Sequence, residues 1–281
     1  MGIKIVKRVR APVRIDFSGG TTDISPFRGR YGGCVLDAAL NRYIVGEMIS
    51  SDKKVELKYE GDIPTSSGLG TSGVMSLVWL ALISKNRNKL ELAEGVYNLE
   101  QSIGQVGGKQ DQYASAMGGI NFIEFKKNKV NVHRLNLSKK FIKKLEDSLV
   151  LVYTGMPHYA TSSNKAVIDD LIKGKNKKNL LKIKKITIKM KKALLKEDLM
   201  RFGELLNEET KERMKLHKSI APPAIRKIIK EGLNSGALSA KICGSGGGGS
   251  ILFFGNKKKL KKRFGKKVID FKFDFEGLKY L

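Results

Sequence analysis

Two glycine-rich loops and a pair of acids are the parts of this sequence equipped for chemistry. The stretch PTSSGLGTSG (64–73) leads directly into the apolar run VMSLVWLALI. A strand, a loop of glycine and small hydroxyl residues, and then a helix start would gather unpaired backbone N–H groups and the positive end of a helix dipole at one point, which suits an anion. Gly68 and Gly70 permit torsions and close approach that a β-carbon blocks, while Thr71 and Ser72 offer a helix cap or a hydroxyl ligand for a phosphate-bound metal. No Gly-Lys-Ser/Thr follows at Walker spacing. An ordinary capped helix start would carry the same residues. The second loop, in KICGSGGGGSILFF (241–254), has the composition of a linker but lies between two apolar, strand-like segments. Four consecutive glycines there imply either a permissive hairpin turn or a backbone that another element approaches closely. Phosphoryl transfer would also need carboxylates, one to hold Mg²⁺ and one to accept a proton. Glu100 and Asp111, in LEQSIGQVGGKQDQYASAMGG, stand eleven residues apart, and Lys109 offers Asp111 a cationic partner. Taken singly, each acid reads equally as a surface or capping residue.

The elements that must carry these residues can be placed from periodicity. Segments KIVKRVRAPVRIDF and CVLDAALNRYIVGEMI read as strands joined by the loop SGGTTDISPFRGRYGG, and VELKYE as a further strand. Helical spacing predicts helices over about 71–85 and 90–104, a short helix in QDQYASAMGG and a hairpin from INFIEF and KVNVHRL. A new unit opens at LVLVYTG, followed by long helices over about 160–215 and 222–235, strands ALSAKIC and ILFF, a basic helix and VIDFKF. The order fits two α/β domains, 1–148 and 149–281, with antiparallel or mixed sheets.

Composition narrows the class. The chain has 281 residues, 41% apolar, enough for a core in each domain. Its two cysteines, Cys34 and Cys243, form neither a disulfide framework nor a zinc motif. The N-terminus lacks an apolar stretch of signal-peptide length and VMSLVWLALI is too short to span a bilayer, so a soluble, cytoplasmic protein with no membrane partner is expected. The formal charge of +27 invites a nucleic-acid reading. Much of it lies in 173–196 and 257–267, however, where Leu180, Leu181, Ile183, Ile186, Ile188, Met190, Leu194 and Leu195 alternate with lysines. That pattern is an amphipathic helix with a lysine-covered solvent face, and no nucleic-acid-binding motif accompanies it.

APVRIDFSGGTTD (11–23), PTSSGLGTSG and KICGSGGGGSILFF together resemble, in order and over nearly the whole chain, the three motifs of the GHMP kinase superfamily. The resemblance implies a two-domain α/β (α+β) fold, with an N-terminal domain like ribosomal protein S5 domain 2 and a ferredoxin-like C-terminal domain. It implies ATP between them, its phosphates on Ser67, Gly68, Leu69, Gly70, Thr71 and Ser72. By correspondence with mevalonate-kinase-like members, Ser72 and Glu100 would bind Mg²⁺ and Asp111 would be the catalytic aspartate. By correspondence with galactokinase-like members, Arg14 would lie beside Asp111 and stabilise charge on the transferred phosphoryl group, and Asp23 would bind sugar hydroxyls. Gly20, Thr22, Gly246 and Gly247 are carried over as further substrate-binding positions.

Two segments bear on the acceptor. APVRIDFSGGTTD resembles fucokinases, and GGKQDQYASAMGGINFIEF with LVLVYTG resembles D-glycero-D-manno-heptose 7-phosphate kinases, families that phosphorylate an anomeric hydroxyl. A small-molecule sugar or sugar-phosphate substrate is therefore expected, with nucleic acid disfavoured and a homodimer allowed. Arg28 and Arg30 offer cations for a terminal phosphate, or form a solvated loop. Only about forty residues separate the first two motifs, fewer than in the heptose and galactose kinases, which leaves base selectivity and the sugar open. A non-sugar alcohol kinase and a catalytically silent protein of the same fold remain as alternatives.

Overall fold

The structure, a computed structural model, describes residues 5–52, 54–127, 129–157 and 160–281. Its first half lays down β1 (Ile5–Ser18), α1 (Phe27–Tyr31), β2 (Gly33–Ser51), β3 (Lys54–Gly61), α2 (Thr71–Ile83), α3 (Lys89–Ser102), α4 (Gln110–Met117), β4 (Ile120–Lys126), β5 (Lys129–Arg134) and α5 (Lys139–Ser148). Then follow β6 (Leu149–Tyr153), α6 (Ala160–Ile172), α7 (Lys177–Leu195), α8 (Leu199–Arg213), α9 (Pro223–Asn234), β7 (Ala237–Ile242), β8 (Ser250–Gly255), α10 (Lys257–Phe264), β9 (Val268–Ile269) and β10 (Lys279–Tyr280).

Two antiparallel sheets result. One runs β10-β1-β2-β4-β5, with β3 paired to the other half of β2, and the second runs β7-β8-β6-β9. Within the second, strand order 4-1-3-2 with helices between the first and second strands and between the third and fourth is the ferredoxin-like arrangement. The chain does not stay in its second sheet. After β9 it returns to the first, where β10 pairs with β1 and Phe273 bridges to Leu40.

Strand β1 shows how the sheet aims its side chains. Val9 sits opposite Gly46, whose face meets Val78 and Leu82 of α2. An irregularity in register between Pro12 and Arg14 then resets the alternation, so that Phe17 packs edge-on against Phe202 of α8, ring centres 5.2 Å apart. Arg14 and Asp16 are thereby turned toward the seam between the two sheets. The interval between the first two motifs, the shortened part of the sequence, is filled mostly by the β2–β3 hairpin.

The lysine-rich segment forms α7 as expected, with Leu180, Ile183, Ile186, Met190 and Leu194 buried. Ile188 and Leu195 depart from the expectation: they fall outside the buried stripe, 37% and 50% exposed. Helix α5 is an element the expected order lacks, although its signals are in the sequence. The Ser138 hydroxyl accepts from the Phe141 amide, and Phe141 and Leu145, four apart, are its buried residues. No helix among the described residues is long and apolar enough to cross a membrane.

Candidate active site between two glycine loops

The PTSSGLGTSG loop turns sharply into α2. Gly68 and Gly70 have φ of +75° and +78°, in the left-handed region that glycine enters without strain. Gly70 itself is the N-cap, without a side-chain cap, so of the two roles open to Thr71, cap or hydroxyl ligand, the cap is taken by Gly70 and Thr71 is the first helical residue. The first bond of the helix runs from the Val74 amide to the Gly70 carbonyl, leaving the amides of Thr71, Ser72 and Gly73 without an intrahelical partner. A β-carbon on Gly70 or Gly73 would stand 3.1 Å or 3.0 Å from Asp111, so these glycines let α4 bring Asp111 against the first turn of α2.

Asp111 is held by Arg14. The Nε and Nη2 groups of Arg14 donate to Asp111 Oδ1 at 2.8 Å and 2.6 Å, while Nη1 donates to the Gly68 carbonyl at 3.0 Å. The Arg14 side chain is only 3% exposed, and burial, which opposes its charge, is outweighed by Asp111 and Asp16, which raise its pKa. Neither bond falls on Asp111 Oδ2, and the Asp111 side chain is 28% exposed. Lys109 does not partner Asp111. Its Nζ donates to both oxygens of Glu94 and lies 4.5 Å from the Tyr97 ring centre, because residues two apart at a helix start diverge.

Glu100 approaches from α3. It is 6% exposed; Gln112 Nε2 donates to its Oε2, the Ser76 hydroxyl also favours its charged form, and Oε1 is buried without a hydrogen bond of good geometry. Burial, with the nearby Asp111 charge, pushes its pKa up to about 7. A buried carboxylate oxygen left unpaired is costly unless a cation or donor completes it. Ser72 and Glu100 line the same cavity of about 190 Å³, together with Arg14, Gly68, Gly70, Thr71 and Asp111. Among the described residues no cluster of three or more acids, histidines or cysteines forms a metal cage. This donor set suits Mg²⁺, which takes one or two carboxylates and completes its shell with phosphates and water.

Other expected site residues lie behind the cavity wall. Ser67 and Leu69 are fully buried, and the Leu69 carbonyl accepts from the Arg14 amide. The Thr22 hydroxyl is engaged inside its own loop, its one proton shared between the Gly19 and Cys34 carbonyls while its oxygen accepts from the Cys34 amide. The Gly20 carbonyl accepts from Arg213 Nη2 at 2.9 Å. Asp23 is fully buried behind Gly108; its Oδ2 accepts from the Gln110 amide at 3.0 Å and so braces the start of α4, while Oδ1 has no partner. Burial foremost, with the Asp111 charge adding to it, raises the Asp23 pKa to about 6. Of the arginine pair, Arg28 donates to the Tyr97 hydroxyl at 3.0 Å and lies 5.1 Å over its ring, whereas Arg30 is exposed.

The second glycine run packs against the first. A β-carbon on Gly249 would meet the Ser67 carbonyl at 2.7 Å, and one on Gly68 the Cys243 carbonyl at 3.0 Å. Gly246 and Gly247 lean on Ile220, the Gly247 amide donating to its carbonyl at 2.9 Å, and the run reaches the cavity through Gly244 and Ser245. Beneath this junction lies a buried charge network that spacing in sequence does not announce. Lys241 Nζ pairs with Asp16 at 3.0 Å and Glu209 at 3.6 Å, Arg213 pairs with Glu209 at 2.7 Å, and the Gly244 amide donates to Asp16 at 3.1 Å. All four side chains are 0–1% exposed, two cations against two anions.

Residues 33–119 match the GHMP kinases N terminal domain and residues 190–271 the GHMP kinases C terminal domain. The chain belongs to the GHMP kinases. The D-glycero-alpha-D-manno-heptose 7-phosphate kinase of Campylobacter jejuni is 28% identical to this GHMP kinase over 97% of the chain and 98% of the relative. The L-fucokinase/L-fucose-1-P guanylyltransferase of Bacteroides fragilis is 24% identical over 69% of the chain, which spans only 21% of that protein. The fold is shared with a D-glycero-D-manno-heptose 1-phosphate kinase of Bacteroides thetaiotaomicron (TM-score 0.75, 24% identity, 99% of each chain). It is shared also with the galactokinase of Lactococcus lactis (TM-score 0.70, 19% identity, 98% of this chain and 95% of that one).

Proposed function

We propose that this GHMP kinase transfers the γ-phosphate of ATP to the anomeric hydroxyl of a sugar phosphate, a heptose 7-phosphate or a close analogue. The observation that carries the reading is the Arg14–Asp111 pair set against the first turn of α2 in one cavity. The full-length similarity to a heptose 7-phosphate kinase supports the acceptor class.

In this reading the unpartnered amides of Thr71 to Gly73 and the dipole of α2 face the nucleotide phosphates. Asp111 Oδ2 accepts the proton of the C1 hydroxyl as that oxygen attacks the γ-phosphorus, and the bond to the β-phosphate oxygen breaks to release ADP. Arg14, fixed by Gly68 and Asp111, offsets charge on the transferring oxygens without having to reorganise. Glu100 and Ser72 would hold Mg²⁺, which supplies charge neutralisation on the phosphates. Asp23, expected to bind sugar hydroxyls, instead supports the site from behind the cavity wall: its Oδ2 accepts from the Gln110 amide and braces the start of α4, which carries Asp111.

The test is ADP release over free hexoses, heptoses and their terminal phosphates, with mevalonate and homoserine as controls. A heptose phosphate is expected to be turned over fastest, and Asp111→Asn to lower kcat by about 10²-fold or more with nucleotide binding retained. Preferred turnover of mevalonate or homoserine would replace the sugar reading, and an active Asp111→Asn enzyme would remove the assigned base.

A further inference from the structure

The edge of the first sheet carries a feature that this reaction does not use. Among the described residues β3 pairs only with β2, and no backbone bond joins its outer edge. The strand is exposed over most of its length: Val55 is 62% exposed and Leu57 38%, and the side chains of Lys54, Glu56 and Lys58 are 73%, 40% and 57% exposed. An open edge of this kind is a template for another strand, and lysines on it ordinarily keep other strands away. Here the lysines alternate with glutamates in KVELKYE (54–60), and the alternation is antisymmetric about Leu57.

We propose that β3 is a homodimerisation edge, pairing antiparallel with β3 of a second copy about a two-fold axis at Leu57. In that register Lys54 faces Glu60 and Glu56 faces Lys58, each pair occurring twice, while Leu57 meets Leu57 and Val55 meets Tyr59 on the opposite face. Neighbouring registers are rejected by the same side chains. A slip of two residues one way sets Glu56 against itself and Lys54 against Lys58; the other way sets Lys58 against itself and Glu56 against Glu60. An odd slip puts charged residues against the apolar face, and parallel pairing in register opposes like charges throughout. A second copy of this chain therefore fits the edge in one orientation, an isologous contact that closes at two subunits and joins the two sheets into one.

One short strand on each side makes a small interface, so a weak dimer with a roughly micromolar dissociation constant is expected. Sedimentation equilibrium of the full chain up to about 100 µM tests it. Glu56→Lys places lysine against Lys58 at both symmetric positions, and Lys58→Glu places glutamate against Glu56. Each variant alone is expected to dimerise at least about tenfold more weakly. Mixed together they restore all four opposite-charge pairs and should form a heterodimer, and the double variant Glu56→Lys/Lys58→Glu should again form a homodimer. A wild-type chain that stays monomeric at the top concentration overturns the proposal. So does a dimer indifferent to both single variants, or single variants that fail to associate when mixed. Turnover is not the readout, so the outcome is independent of the kinase reaction proposed above.

Discussion

Replacing Asp23 by Asn should stabilise the protein at neutral pH, and the size of the effect follows from the burial of one carboxylate. Asp23 is fully buried, one oxygen has no partner, and its pKa is raised from 3.8 to about 6. Below about pH 3.8 both folded and unfolded chains hold the proton and Asp23 contributes no pH dependence. Between 3.8 and about 6 the unfolded chain ionises first, so the folded state binds more protons and its stability falls as pH rises. Above about 6 the loss is complete; roughly two pH units at 1.36 kcal/mol each give about 3 kcal/mol. Asn keeps the shape and an acceptor for the Gln110 amide but lacks the charge. With an unfolding entropy of about 0.6 kcal/mol/K for a chain of this length, Asp23→Asn should melt about 5 °C above wild type near pH 7.5. Near pH 4 the two should coincide to within about 1 °C, because protonated Asp and Asn are nearly isosteric. Calorimetric melting of the ligand-free proteins over this range reads the difference directly. A variant destabilised by the same amount at both pH values would refute the reasoning, since Asp23 would then matter through its shape and hydrogen bond rather than through a buried charge.

Two further substitutions probe the cation site and the seam. In Glu100→Gln the thermal shift produced by a non-hydrolysable ATP analogue should no longer grow on adding Mg²⁺, whereas in wild type it should grow and collapse with chelator; equal Mg²⁺ dependence in both would exclude Glu100 as a ligand. Lys241→Met leaves Asp16 and Glu209 buried and short of a cation, so the urea midpoint should fall by an amount equivalent to about 3–5 kcal/mol at unchanged slope, and a loss under about 1 kcal/mol would show that the network is dispensable.

The parts of the site that were legible in the sequence are those whose geometry is local. Gly68 and Gly70 announce positive torsions, the four glycines after Ser245 announce a close approach, and the eleven-residue step from Glu100 to Asp111 spans the single connection between consecutive helices. Lys109 shows where proximity along the chain misleads. It stands two residues from Asp111 yet points to Glu94, while Arg14, 97 residues away, is the partner in space. The Lys241–Asp16 pair, 225 residues apart, could be found only once the second sheet had been docked on the first. Exposed Ile188 and Leu195 illustrate another limit: a lysine-rich stripe fixes which side of α7 is wet, but its edge depends on how α8 covers the helix.

The distribution of charge separates two tasks that the composition blends. The chain carries +27 overall, much of it on the solvent faces of α7 and α10, where it can draw a polyphosphate toward the molecule. The cavity is different. Arg14 is the one cationic side chain among the described residues that line it, facing Asp111 and Glu100, and the four charges at the seam below already cancel among themselves. A nucleotide entering this cavity would add negative charge to a site already short of positive charge. In the reaction proposed above, a cation held by Glu100 and Ser72 would make good that shortage, and the buried Glu100 carboxyl, its pKa pushed up to about 7, lines the cavity where that cation would sit.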